Sequence, residues 1–366
     1  MTNHIRFAIL GAGHGGKAMA ADLALKGFHV ALYNRTWEHI EGIRALGGID
    51  LEGPQGPMGF GALALATANV KDAINDADCI MVVVPATAHC YLAEQCAPHL
   101  RDGQIIVLNP GRTGGALEFV KTLRENGCTA DVIVAETQTL IFASRSMGPA
   151  QAKIFRRKNA VPIAALPATR TPEVLSVLRE AYTQFMPAET VLKTSMDNMG
   201  AIFHPALAAL NAGRIESTVG QFQFYIEGVT PSVARVLETL DRERVTVAAA
   251  LGVKAVSARD WLEMAYNAIG TSLHEAIHNN PGYRGIMAPQ TLEHRYIFED
   301  VPMSLVPISE LGRAYGVSTP LMDAVIRLAS TIHGTDYRHR GRTVEKMGLS
   351  GMSVGEIKQY VKEGTP

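Results

Sequence analysis

The stretch "IRFAILGAGHGGKAMAADLALKGF", Ile5 to Phe28, reads as a strand, a glycine turn and a helix in direct succession. "IRFAIL" is apolar at almost every position, the pattern of a strand buried on both faces. "GGKAMAADLALKGF" then carries small residues on the side of a helix that would face such a strand. Between them Gly11, Gly13 and Gly16 have GxGxxG spacing. Gly11 permits a tight turn, Gly13 lets the backbone approach a pyrophosphate, and Gly16 lets helix and strand pack closely. The N–H groups at the helix start, among them those of His14 and Gly15, would point at the phosphates. These residues form the expected dinucleotide cradle.

Working outward, "HVALYN" (29–34), "CIMVVVPA" (79–86), "QIIVLNP" (104–110) and "DVIVAE" (131–136) read as further buried strands. Helical stretches lie between them, around 88–97 and 114–126. Strands alternating with helices imply a parallel sheet covered on both faces, an α/β domain of the Rossmann type. The Gly- and Pro-rich interval 49–67 reads as a hairpin insertion, and 152–168 as two strands closing the domain. After the helix "PEVLSVLREAYTQF" (172–185) strand-like runs cease. Helical patterning takes over at 193–212, 231–251, 258–278, 303–316 and 319–333. The expectation is a Rossmann-type dinucleotide-binding domain over 1–190 and an all-α domain over 191–366. "RHRGR" (338–342) reads as a solvated surface stretch.

Composition narrows the class. The 366 residues are enough for two buried cores, and a formal net charge of −1 offers no basic field for nucleic acid or anionic lipid. Cys79, Cys90, Cys96 and Cys128 form no CxxC pair and no metal-like spacing with histidine, as in a reduced cytoplasmic protein without a metal. No signal peptide precedes "IRFAIL" and no apolar run reaches membrane-spanning length. A soluble intracellular protein with small-molecule ligands is expected, with a homodimer as the possible assembly.

The end of the second strand bears on which dinucleotide binds. An NAD site usually carries an acidic residue there for the ribose 2′-hydroxyl. This chain has Asn34, Arg35 and Thr36 instead. A guanidinium can fork a 2′-phosphate, so NADP(H) is expected in preference to NAD(H), which stays possible. "VVVPATAHCYL" and "IIVLNPGRTGGALEF" stand where the next two strands end, the side on which open α/β sheets bind ligands. Pro85, Asn109 and Gly111 are therefore expected near the nicotinamide end, with His89 either facing the crevice or capping a helix. "AETQTLIFASR" (135–145) follows the next strand with a carboxylate and hydroxyls. Glu136 is expected at the cofactor, Thr137 and Ser144 at the substrate.

With that segment the chain resembles the opine dehydrogenases: octopine and nopaline dehydrogenases and bacterial relatives acting on carboxyalkyl amino acids. The resemblance runs through "GAGHGG", "VPATAH", "LNPGRTGGALEF", "AETQTLIFASR", "NMGAIFHP", "HRYIFEDVP" and "GRTVEKMGLSGMS", essentially the whole chain. In that family the segment like "NMGAIFHP" supplies a catalytic histidine, and the one like "HRYIFEDVP" an arginine and an aspartate. The resemblance thus implies roles for His204, Arg295 and Asp300. Two positions depart from it. Some members carry a cysteine beside the amino-acid substrate where this chain has Ser144, and several use NAD where this chain has the Asn34–Arg35 pair.

The residues support the same chemistry less sharply. Pro205 disfavours helical geometry at His204 and suits a first helical turn, so the histidine is expected at a helix start or kink. A helix N-terminus disfavours an imidazolium, and Asp300 is the candidate to offset that and fix the tautomer. Arg295 would fork a substrate carboxylate, its alternative being an ion pair with Glu293 or Glu299. Asn198 would bond substrate or nicotinamide, its alternative being an interhelical hydrogen bond. A ketopantoate-reductase-like or glycerol-phosphate-dehydrogenase-like enzyme, with Lys193 as acid, and a non-catalytic NADP sensor are the rival readings.

Overall fold

The computed structural model describes residues 5–54 and 56–365. The chain divides into two compact units: Met1–Thr194 together with Glu356–Pro366, and Ser195–Gly355. The division thus falls four residues beyond the expected 190/191 boundary, and the closing segment groups with the first unit.

The first unit contains β1 (Arg6–Leu10), β2 (His29–Tyr33), β3 (Gly48–Glu52), β4 (Gly59–Ala62), β5 (Leu65–Thr67) and β6 (Cys79–Val82). It continues with β7 (Ile105–Leu108), β8 (Ile133–Thr137), β9 (Phe142–Gly148), β10 (Gln151–Arg157), β11 (Val161–Leu166) and β12 (Phe185–Pro187). One sheet has the order β12-β11-β8-β7-β6-β1-β2-β5. From β5 to β8 all neighbours are parallel, in the order of a doubly wound dinucleotide fold that reverses direction at β1. β1, β6, β7 and β8 are buried, and Ala18, Met19, Ala20 and Ala21 of the His14–Leu25 helix are fully enclosed with them.

Two details differ from the sequence reading. β11 runs antiparallel to β8, so the sheet is mixed. The chain leaves β8 through the β9–β10 hairpin rather than a crossover helix, and only a crossover returns a strand in the parallel sense. β10, expected in the main sheet, instead joins a second sheet, β4-β3-β10-β9. Its burial alternates, with Ala152 and Ile154 inside and Gln151 and Phe155 outside, as suits a sheet solvated on one face. The 49–67 interval does form the β3–β4 hairpin, but its last strand, β5, pairs with β2.

In the second unit the described elements are helical, apart from one isolated bridge between Gln223 and Met287. Its helices include Gly200–Leu210, Pro231–Ala250, Ala258–Tyr266, Arg295–Phe298 and Pro320–His333. The 258–278 run is broken at Asn267, whose φ of 55° caps the first helix. A π-helical turn, Val301–Leu305, leads into the Val306–Ala314 helix. The surface reading of "RHRGR" fails at its last two positions, where Gly341 and Arg342 are buried. Arg338 pairs with Asp323 (2.6 Å) and Glu310 (2.8 Å). Among the described residues no helix is long and apolar enough to cross a membrane, and no disulfide joins the four cysteines.

Candidate active site

The glycine turn has the geometry a dinucleotide requires. Gly11 sits at φ 118°, and a Cβ there would lie 2.5 Å from the Val83 carbonyl oxygen. At Gly16 a Cβ would come within 1.7 Å of the Gly11 carbonyl oxygen, so helix and loop touch only because the side chain is missing. Around Gly13, which precedes the helix, the same position is open space. No acidic residue stands in the first helical turn and no side chain caps it, leaving its N-terminal field available to an anion. The Asn34 Oδ1 accepts from the Ala12 N–H (3.1 Å) and its Nδ2 donates to the Thr36 carbonyl (3.0 Å), tying the loop to the end of β2. Arg35 and Thr36 are exposed, and the Arg35 guanidinium lies over the Tyr91 ring at 5.2 Å.

At the end of β7, Asn109 is buried and its Nδ2 donates to the Val107 carbonyl (2.8 Å). Its Oδ1 is buried with no hydrogen-bond partner among the described residues, an orphaned acceptor of the kind a ligand satisfies. Pro85 follows β6 and precedes the short Ala86–Ala88 turn. His89 opens the next helix fully buried, edge-on to Phe119, which answers its open assignment in favour of the core.

Three of the expected residues form bonds within the protein. Glu136 is fully buried, accepting from the Ala116 N–H (2.8 Å) and the Thr194 hydroxyl (2.6 Å). It packs behind Gly111, where a Cβ would meet its Oε2 at 2.3 Å, and so supports the loop. Thr137 is buried and gives its hydroxyl to the Leu108 carbonyl (3.2 Å). Ser144 donates to the His14 carbonyl (3.2 Å), and the neighbouring Ser146 N–H to the His14 Nδ1 (3.0 Å). β9 thus braces the start of the cradle helix, a role for Ser144 and His14 that no periodicity announces.

In the second unit the His204 Nδ1 lies 2.9 Å from the Asp300 Oδ2. The carboxylate is fully buried, while the imidazole is 18% exposed and its Nε2 has no hydrogen-bond partner among the described residues. His204 is not at a helix start. The Gly200–Leu210 helix runs through it with Pro205 inside, and its N–H bonds already begin with Ala201 to the Asn198 carbonyl. An interior proline costs a helix about 3 kcal/mol. Phe203 and Leu207, both buried, offset it at about 1.5–3 kcal/mol each, and the helix continues. A helix-end field fades within the first turn, so Asp300 is needed to orient the ring more than to counter a dipole.

The sequence reading missed what surrounds this pair. Tyr296 stacks on His204 with centroids 4.2 Å apart and planes at 22°, and Phe224 lies near-parallel to Tyr296 at 5.1 Å. His294 meets the Tyr296 ring edge-on at 4.3 Å. Burial, then the Arg295 guanidinium and the His204 ring, push His294 down to about 4, so it stays neutral at pH 7. Burial holds the Tyr225 and Tyr283 phenols well above their usual range. Arg295 is about half exposed, with its Nε 3.6 Å from Glu299. Asn198, just before the Gly200–Leu210 helix, donates its amide to the Ser304 hydroxyl (2.9 Å). Lys193 is half-buried in the Val191–Met196 helix of the adjoining segment.

A dinucleotide fold followed by a helical unit with a histidine–aspartate pair defines a two-domain NAD(P)-dependent dehydrogenase. The family model for the NAD binding domain of 6-phosphogluconate dehydrogenase matches residues 6–125. That for the alpha-helical domain of NAD/NADP octopine/nopaline dehydrogenase matches residues 187–333. An opine dehydrogenase of Arthrobacter sp. (strain 1C) is 44% identical over 97% of this chain and 98% of its own length. The chain belongs to the opine dehydrogenase family and is an NAD(P)-dependent oxidoreductase. Among solved structures, octopine dehydrogenase with NADH and L-arginine has the same fold (TM-score 0.82, 21% identity, 98% of each chain). So does yersinopine dehydrogenase bound to NADP+ (TM-score 0.75, 17% identity, 99% of each chain).

Proposed function

We propose that this enzyme condenses a 2-oxo acid with the amino group of an amino acid and reduces the imine to a secondary amine, preferring NADPH. The His204–Asp300 pair carries the reading: a buried carboxylate lies 2.9 Å from one ring nitrogen, and the other has no hydrogen-bond partner among the described residues. In condensation the amine nitrogen bonds the oxo carbon, and the oxo oxygen leaves as water after taking one proton from that nitrogen and one from the His204 Nε2. The resulting iminium accepts a hydride at carbon and becomes the neutral secondary amine. When bound, the nicotinamide supplies that hydride. Asp300 holds the Nδ1–H and stabilises the ring while it is charged.

Arg295 would hold the oxo-acid carboxylate, for which its exposed, loosely paired guanidinium is suited. Gly11, Gly13 and Gly16 would hold the pyrophosphate, and Arg35 the 2′-phosphate. NADPH consumption against a matrix of oxo acids and amino acids tests the reading. Turnover that requires both substrates supports it. Turnover with an oxo acid alone would favour the hydroxyacid dehydrogenase with Lys193 as acid, and cofactor binding without turnover a sensor.

A further inference from the structure

We propose that Tyr296 is a positioning residue for His204, its ring face setting the plane of the imidazole and hence the direction of Nε2. The inference rests on reading His204 as the acid. A hydrogen bond from Nδ1 to Asp300 fixes one atom of the ring but not its plane, and the χ2 torsion of histidine is soft. The flat contact with Tyr296, 4.2 Å and 22°, removes that freedom. Tyr296 is itself held on two sides, by the near-parallel Phe224 ring and by the edge of His294, whose Nδ1 also accepts from the Tyr296 N–H (3.4 Å). A tyrosine face attracts a cation through its quadrupole, so the stack favours the imidazolium as well as the orientation.

The ionisable groups on the neighbouring segments are Asp300, bonded to His204, Tyr296, stacked on it, and His294, which Arg295, His204, Asp300 and Glu299 all influence. Of the other charged groups on the packed helices, Arg327 is exposed and the following are engaged elsewhere. Glu238 accepts from Leu273, Asp241 holds Arg244, and Glu243 caps the Pro320–His333 helix at Leu321 and Met322. On that helix Asp323 pairs with Arg338 and His333 bonds Tyr337.

Histidine NMR titration of the enzyme without cofactor, with the His204 signal assigned by its loss in His204→Gln, reads the stack without turnover. It therefore decides the inference even if the condensation assay fails. Tyr296→Leu is expected to move the His204 midpoint to lower pH, and, where turnover is measured, to lower kcat about tenfold with NADPH affinity unchanged. Tyr296→Phe, which keeps the face, should retain the midpoint and most of kcat. Tyr296→Met, filling similar space without a ring, gives the same reading should leucine not fold. A folded ringless variant that titrates as wild type overturns the inference. So does a Tyr296→Phe enzyme as impaired as Tyr296→Leu, since the hydroxyl would then be responsible.

Discussion

Arg35 is one exposed side chain on which the proposed cofactor preference rests. It follows β2 where a carboxylate would serve NAD, and its only described ring neighbour is Tyr91. Arg35→Asp should weaken NADPH by about 10- to 100-fold, the worth of a charged hydrogen bond, and improve NADH as the 2′-hydroxyl gains an acceptor. Dissociation constants for both cofactors check this, and an unchanged ratio would remove Arg35 from the preference. The same scale holds the proposed catalytic pair. His204→Ala should lower kcat by about 10²–10⁴ with NADPH binding retained. Asp300→Asn keeps the shape but can present an N–H where Nδ1 needs an acceptor, so its loss should approach that of His204→Ala. Because the two are bonded, the double variant should be little worse than either single one. Fully multiplicative losses would mean that they do not act as a unit. His204 and Asp300 were legible because the family pattern names them. The burial of Glu136 and Thr137 was not, since a strand end looks alike whether its side chain faces a ligand or the neighbouring loop.

A single element, the turn from β1 into the His14–Leu25 helix, separates packing from binding at two glycines. Gly16→Ala places a methyl 1.7 Å from the Gly11 carbonyl oxygen, so loop and helix must part. Both Tm and NADPH affinity should fall. Gly13→Ala meets nothing within 4 Å, so Tm should hold while the methyl occupies the cradle and weakens NADPH alone. A Gly13→Ala protein that binds NADPH as wild type would show that no phosphate approaches there. This turn was the most legible part of the chain, because glycine spacing and strand burial point to one answer. The partition of the later strands was less so. β10 and β11 adjoin in sequence yet enter different sheets, and only the alternation of Ala152 and Ile154 with exposed neighbours in β10 marks it. Pro205 pointed to a helix start or a kink, and the start is excluded for a physical reason. Local preference opposes a helix through His204, and the burial of Phe203 and Leu207 overrides it.

The whole chain of 366 residues forms two units, so its unfolding need not be one transition, and stability has to be read unit by unit. The two tryptophans allow this: Trp37 belongs to the first unit, and Trp261, packed against Phe203 and Tyr266, to the second. In a Trp37→Phe background, fluorescence follows the second unit alone. That unit carries a built-in acid sensitivity at His294, which burial foremost pushes from its ordinary 6.5 to about 4. Between those values the unfolded chain binds a proton at His294 that the folded chain refuses. Its contribution to stability is therefore complete above about pH 6.5, is lost as pH falls towards about 4, and changes no further below that. His294→Asn keeps an acceptor for the Tyr296 N–H and removes the titration. The Trp261 transition of the His294-containing protein should lose more in Tm from pH 7 to pH 4 than that of the variant, while the other titrating groups act alike in both. Parallel Tm profiles would show that His294 takes up its proton in the folded unit as readily as in the unfolded chain.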